Sequence, residues 1–360
     1  LVAQTVVPAN GHTYAGEAEV IDNVPTITYN CSVCGKSEHK IKLNFHGSTV
    51  YMDNTLAVYY YIDRDVDGIE DLGLKGFENI SVNFSYGERK VHYDEEGNVV
   101  NDYSLTVSLD DAIKNNEDYY KFPCRYITPS QMGDEITAII SGSFNGTTYT
   151  FKMDNYSVKQ YCLNRLAKST SAEEKAMLVD MLYYCDASRA FTTYKADEEL
   201  VTNALTSEQK ALHTAERTYN SVLNKASTNI DNEKVTWEKA AIELYDCVRM
   251  RLSCKPVDGV SVGEVYAKAT VNGEAVETYI KQENGVYYVY VLDLAYAQLS
   301  EEVYVTLYEG DTQISDTICY SVESYVKTKL NDTNENLVAL VKAMMCYGDS
   351  AKAYFATKNA

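Results

Sequence analysis

An internal duplication constrains this chain more than any other feature. The run Tyr156-Ser157-Val158-Lys159-Gln160-Tyr161, followed by Leu166, returns as Tyr320-Ser321-Val322-Glu323-Ser324-Tyr325, followed by Leu330. Downstream, Met181-Leu182-Tyr183-Tyr184-Cys185-Asp186 lines up with Met344-Met345-Cys346-Tyr347-Gly348-Asp349. Upstream, Gln131-Met132-Gly133-Asp134-Glu135-Ile136 lines up with Gln298-Leu299-Ser300-Glu301-Glu302-Val303, and residues 52–62 match 244–254. Self-similarity of this kind specifies one supersecondary unit built twice. A length of 360 residues suits two cores better than one. The offset between the copies shrinks between Ile62 and Gln131, so the first copy carries extra chain there.

Within each copy the hydrophobic period changes. Leu56, Val58, Tyr60 and Ile62 alternate as one buried strand face, and so do Val248, Met250, Leu252 and Cys254. Asn145-Gly146 and Asn284-Gly285 lie between strand-like runs and supply the positive φ angles of tight hairpins. Behind the Tyr-Ser-Val signature, Val158, Cys162 and Leu166 recur at helical spacing, and Leu178, Met181, Leu182, Cys185 and Ser188 form a second helical stripe. Between the copies, Thr206 with Gln209 makes a capping-box pattern ahead of Leu212, Ala215, Tyr219 and Val222, which predicts a helical connector.

The expected fold is therefore α+β: two tandem antiparallel β-sandwich modules, each followed by a two-helix hairpin, joined by a helical connector. The boundaries read as a leading segment at 1–40, a sandwich at 41–155, a hairpin at 156–194, a connector at 195–232, a sandwich at 233–319 and a hairpin at 320–360. Thirty-two Tyr against 8 Phe and one Trp fit half-exposed strand faces, because Tyr favours strands and keeps a hydroxyl in water. The net charge of -20 repels nucleic acid and anionic membrane surfaces, so neither is an expected partner. No stretch approaches the apolar length that spans a bilayer, so no membrane insertion is expected. Residues 1–10 lack a charged region ahead of an apolar run, and the chain reads as a piece of a larger protein.

The repeat signatures resemble a module of large exported proteins of clostridial, often gut-dwelling, Gram-positive bacteria. In those proteins a β region runs into "YSV..Y" and then "LVKA.L.YG..A..YF". The second copy has Leu340-Val341-Lys342-Ala343, Tyr347-Gly348 and Ala353-Tyr354-Phe355, whereas the first has Cys185 in place of the Gly and Phe191-Thr192 in place of Tyr-Phe. Gly11-His12-Thr13-Tyr14 and Cys31-Ser32-Val33-Cys34-Gly35 resemble a small zinc-ribbon-like repeat of the same kinds of protein, with Ile21 at one expected Cys position. The resemblance implies an extracellular place on the bacterial cell surface, and it implies no catalytic residues.

The sharpest local signal is Asp63-x-Asp65-x-Asp67-Gly68-x-x-Asp71. Alternate carboxylates around a Gly bend, with the Ile69 carbonyl, form an oxygen shell for a calcium ion; the alternative is a solvated acidic turn. The twelfth position, Leu74, lacks the bidentate carboxylate of an EF-hand. The second copy offers only Val257-Asp258-Gly259, so one site is expected. Cys31 and Cys34 could hold zinc with His12 and His39, against free thiols or a local disulfide. Nine Cys without a dense framework leave the redox compartment open, and Cys162 and Cys185 read as buried thiols rather than a bridge.

Tyr59, Tyr61, Tyr119, Tyr120, Tyr288 and Tyr290 form a candidate ligand-binding ladder; the competing reading is that they pair across strands. No nucleophile elbow, phosphate loop, dinucleotide fingerprint or His pair at i, i+4 is present, so an enzyme is not expected. The chain reads as a binding or adhesion module whose partner is a host protein, such as a mucosal glycoprotein or immunoglobulin. A carbohydrate-binding module using tyrosine platforms and a structural spacer are the competing expectations.

Overall fold

The computed structural model describes residues 14–21, 24–31, 33–35, 37–41, 45–52, 56–63, 77–87, 91–93, 99–101, 105–114, 119–144, 146–213, 217–221, 223–226, 233–244 and 248–358. The chain opens with β1 (Tyr14–Ile21), β2 (Val24–Cys31) and β3 (Ser37–Ile41), paired antiparallel in a sheet of their own. The first sandwich then begins with β4 (Phe45–Met52), β5 (Leu56–Asp63) and β6 (Phe77–Ser85). It continues through β7 (Val91–Tyr93), β8 (Val99–Asn101), β9 (Leu105–Ser108), β10 (Tyr119–Cys124), β11 (Thr137–Phe144) and β12 (Thr147–Lys152). Its two sheets have the orders β10-β5-β4 and β12-β11-β6-β9, all antiparallel. Leu56, Val58, Tyr60 and Ile62 are all buried between them, as their alternation requires. The Tyr60 hydroxyl donates to the Ile136 carbonyl at 3.2 Å and ties β5 to the chain entering β11.

A hairpin of α1 (Val158–Lys168) and α2 (Ala172–Thr192) follows. Ser157 and Ser171 cap them by accepting from the backbone N–H groups of Gln160 and Glu174. The connector differs from the expected helix. The capping box at Thr206 and Gln209 is present, but α3 (Ser207–Lys210) is a single turn, and Tyr219 lies in irregular chain ahead of β13 (Leu223–Ala226). Helical spacing of Leu212 and Tyr219 lost to tertiary pairing, because β13 adds an edge strand to the second copy.

That copy comprises β14 (Val235–Leu244), β15 (Val248–Pro256), β16 (Val265–Val271), β17 (Glu274–Val276), β18 (Thr278–Glu283) and β19 (Val286–Leu294). It closes with β20 (Val303–Glu309), β21 (Thr312–Gln313), β22 (Thr317–Tyr320) and the hairpin α4 (Val322–Lys329) and α5 (Glu335–Lys358). Its sheets are β14-β15-β19-β18 and β13-β22-β20-β16-β17, with β21 paired to β20.

The duplication holds hydrogen bond by hydrogen bond. Before each hairpin a 3₁₀ turn, Pro129–Gln131 or Tyr296–Gln298, carries a Gln whose side-chain carbonyl accepts from the backbone N–H three residues back. Those bonds, Thr128 to Gln131 and Ala295 to Gln298, are both 3.1 Å. Lys159 N–H donates to the Met132 carbonyl, and at the equivalent place Glu323 N–H donates to Leu299. The first copy's extra chain includes the β7–β8 hairpin between β6 and β9; the second copy makes the corresponding step, β16 to β17, with the turn Asn272-Gly273.

The two sheets differ along one edge. Lys121 exchanges both backbone hydrogen bonds with Ile113, so its polar groups face away from β5, and Pro123 presents the same edge with no N–H to give. The corresponding strand of the second copy has Tyr290 there, paired with Tyr279 of β18. Among the described residues the place of β18 beside β10 is held by the single bridge Ile113–Lys121.

The two copies meet through their second helices. α2 and α5 run antiparallel: Asn336, early in α5, donates to the Ala190 carbonyl near the end of α2, and Tyr184 stacks on Tyr347 with centroids 6.1 Å apart. Tyr184 and Tyr347 are equivalent residues of the repeat, so the contact is self-complementary, as in a two-fold dimer. One buried apolar cluster runs from the first sandwich through these helices into the second. Among the described residues no helix is long and apolar enough to cross a membrane.

Candidate binding surfaces and buried polar clusters

The outer face of the β10-β5-β4 sheet is aromatic. Strand alternation sends Tyr59 and Tyr61 of β5 outward, opposite Thr49 and Gly47 on β4 and Pro123 and Lys121 on β10. Tyr51 stacks on Tyr59 (5.2 Å, 12° between planes) and is 46% exposed. Tyr119 packs on Tyr61 at 4.7 Å and stacks on His46 at 5.3 Å, while His46 Nδ1 lies 2.9 Å from the Asp63 carboxylate. Burial, and then the neighbouring hydroxyls of Tyr119 and Tyr59, push the Tyr61 phenol up to about 12. The Tyr61 hydroxyl therefore stays protonated at physiological pH.

Tyr120 does not belong to this face. Its register opposite Ile62 turns it into the core, where it is 8% exposed. Tyr290 is also covered: the Arg249 guanidinium lies 4.6 Å from its ring centroid and Tyr279 packs beside it. Tyr288 remains half-buried, with Arg251 above its ring at 5.6 Å. A second aromatic face, missed in the sequence, lies on β16 and β20. There Tyr266 stacks on Tyr308, Lys268 sits 4.4 Å from the Tyr308 ring centroid, and Tyr304 is 40% exposed. Period-two spacing of Tyr304 and Tyr308 was the available signal.

Of the calcium loop only Asp63 is described, at the end of β5; Asp65, Asp67, Ile69 and Asp71 lie outside the described residues. Of the zinc set, Cys31 ends β2, Cys34 is exposed in the following turn and His39 is on β3 opposite Tyr29. His12 lies outside the described residues. Among the described residues no group of three or more His, Cys, Asp or Glu could hold a metal ion. Cys162 and Cys185 are buried free thiols, with Cys162 Sγ 3.6 Å from Met181 Sδ.

The buried polar groups fasten the copies and the connector. Asp134 is met by Arg189 at 3.1 Å, Lys195 at 3.0 Å and the Tyr194 hydroxyl at 2.5 Å. Asp186 accepts from the N–H groups of Val201 and Thr202 and from the Thr202 hydroxyl. His213 Nδ1 lies 2.6 Å from Asp180, and its ring stacks on Tyr183 at 3.9 Å. Arg217 bridges Glu323 and Asp349 of the second copy. Cys346 lines the same cleft as His213, but burial, Asp180 and Asp349 push its thiol up to about 11, opposite to what a nucleophile needs.

No protein-family model and no curated protein matches the sequence. Among solved structures, S. aureus TarS aligns at 9% identity over 85% of this chain and 44% of that chain, with a TM-score of 0.23. The chain thus spans less than half of that structure's length, and a likeness so distant carries no argument.

Proposed function

We propose that this chain is a non-enzymatic binding module of an exported bacterial surface protein, and that it engages a host protein through the outer face of β10-β5-β4. The observation that carries the reading is the stacked pair Tyr51–Tyr59 beside Tyr61, Tyr119 and His46 on one exposed sheet face. Tyr supplies large contact area at low entropic cost, which is why it is enriched in protein-binding hot spots. Rings stacked on each other across strands present edges and hydroxyls, whereas a sugar needs an open ring face. That geometry supports a protein partner over a glycan at this surface.

The test is affinity capture of a mucosal protein by the intact chain and by a Tyr51→Ala/Tyr59→Ala variant. A protein retained by the first and weakened at least roughly tenfold in the second is expected, since two central ring truncations remove about 2 kcal/mol or more. Equal capture by both would place the contact elsewhere.

The reading includes one calcium ion at Asp63, Asp65, Asp67, Ile69 and Asp71, supported by their spacing around Gly68. Calcium calorimetry on the intact chain should show one site that Asp65→Ala removes; equal heats from both would sink it. A zinc ion on Cys31, Cys34, His12 and His39 rests on the Cys-x-x-Cys spacing alone.

A further inference from the structure

The edges of the sandwich sheets are blunted in the ways that keep open strands from pairing, with one exception. β4 and β14 each carry a bulge, β10 carries Pro123, β18 ends on the Lys281–Glu283 ion pair, and β9, β13 and β17 have four residues or fewer. β12 has none of these features. Its pairing with β11 runs from Thr147 to Lys152 without a register shift, and Thr147-Thr148-Tyr149-Thr150-Phe151 are uncharged strand formers throughout. Among the described residues no strand pairs with its other side.

The second copy shows what that side can accommodate. β22 leads into Ser321 and α4 as β12 leads toward Ser157 and α1, and β22 lies between β20 and a further strand, β13.

The open edge has a definite pattern. Met153 N–H donates to the Ala138 carbonyl, so by antiparallel alternation Phe151 and Tyr149 also face β11, and the backbone N–H and C=O groups of Thr148, Thr150 and Lys152 point away from it. Side chains alternate in step. Phe151 lies opposite buried Ile140 on the core side, whereas Thr148, Thr150 and Lys152 are exposed on the outer face.

We propose that β12 pairs antiparallel with β12 of a second copy of this chain, about a two-fold axis at Thr150. In that register Thr150 meets the partner's Thr150, Thr148 meets the partner's Lys152, and each outward N–H and C=O of these residues finds a mate. Tyr149 falls opposite the partner's Phe151 on the core side, an aromatic pair repeated by the symmetry, while the two Lys152 side chains stay apart. The contact is small, so the dimer is weak, with a dissociation constant of about 10 μM or more. It uses no residue of the tyrosine face, which lies on the other sheet, and does not depend on that face being a binding surface.

Sedimentation equilibrium of the intact chain from about 5 μM to about 1 mM tests it. The mean mass should climb toward twice that of the chain, and more steeply at high salt, which screens the repulsion between two chains of net charge -20. Thr150→Pro removes an outward N–H and no bond to β11, and should abolish the rise. Thr148 reports the register: Thr148→Lys sets like charge against the partner's Lys152 on both sides of the axis and should weaken association roughly threefold or more, whereas Thr148→Glu should tighten it by a similar factor. A general effect of net charge would give both variants the opposite sign. A monomer at every concentration, association indifferent to Thr150→Pro, or Thr148 variants that shift it in the same direction or in reversed order would each overturn the proposal.

Discussion

At the scale of single residues, the buried charges decide how firmly the first copy holds its helices. Asp134 is 4% exposed and carries three donors from the end of α2 and the chain after it, while Arg189 also donates to the Ser130 carbonyl. Removing the carboxylate charge leaves the Arg189 guanidinium in the core without its counter-ion. We expect Asp134→Asn to cost about 3–5 kcal/mol, read as a shift in the urea midpoint at unchanged slope. The equivalent pair of the second copy, Glu301 with Lys352, is far more exposed, and Glu301→Gln should cost less than about 1 kcal/mol. None of this ranking was legible beforehand. The sequence aligns Asp134 with Glu301, but burial comes from the fold around them.

At the scale of elements, most of the architecture could be read in advance, because strand alternation and capping are local. Val248, Met250, Leu252 and Cys254 are all buried, and Ser157 and Ser321 cap equivalent helices. What could not be read is the surround of α2. Its stripe predicted one buried face, yet Asp180, Tyr184, Asp186 and Arg189 are buried as well, since the connector and α5 cover the rest. The connector failed for the same reason: a strand such as β13 draws its stability from β22, which lies far along the chain. On the aromatic face, period two sends Tyr59 and Tyr61 outward, whereas Tyr119 and Tyr120 are neighbours of opposite fate that only the register separates. The Gly of the "YG" signature also finds its reason here. A Cβ at Gly348 would meet the Tyr296 carbonyl oxygen at 2.8 Å, so α5 closes on the 3₁₀ turn only without a side chain. Gly348→Ala should destabilise by about 1–3 kcal/mol in equilibrium denaturation, despite the better helix propensity of Ala.

At the scale of the whole molecule, the α2–α5 seam joins two cores into one cooperative body. Tyr184 is buried against Tyr296 and Tyr347 of the other copy. Scanning calorimetry of the intact chain should give one transition. Tyr184→Ala, at about 3–5 kcal/mol, should split it into two as the copies unfold separately. Two transitions already present in the unaltered chain would show the seam to be too weak to couple them.

The self-complementary seam also fixes how such modules can be counted. Each copy spends the same helix on its neighbour, and a two-fold contact is saturated by two. Neither α2 nor α5 keeps a matching face for a third module. A longer chain of these repeats would therefore grow by pairs, each pair closed on itself through its second helices.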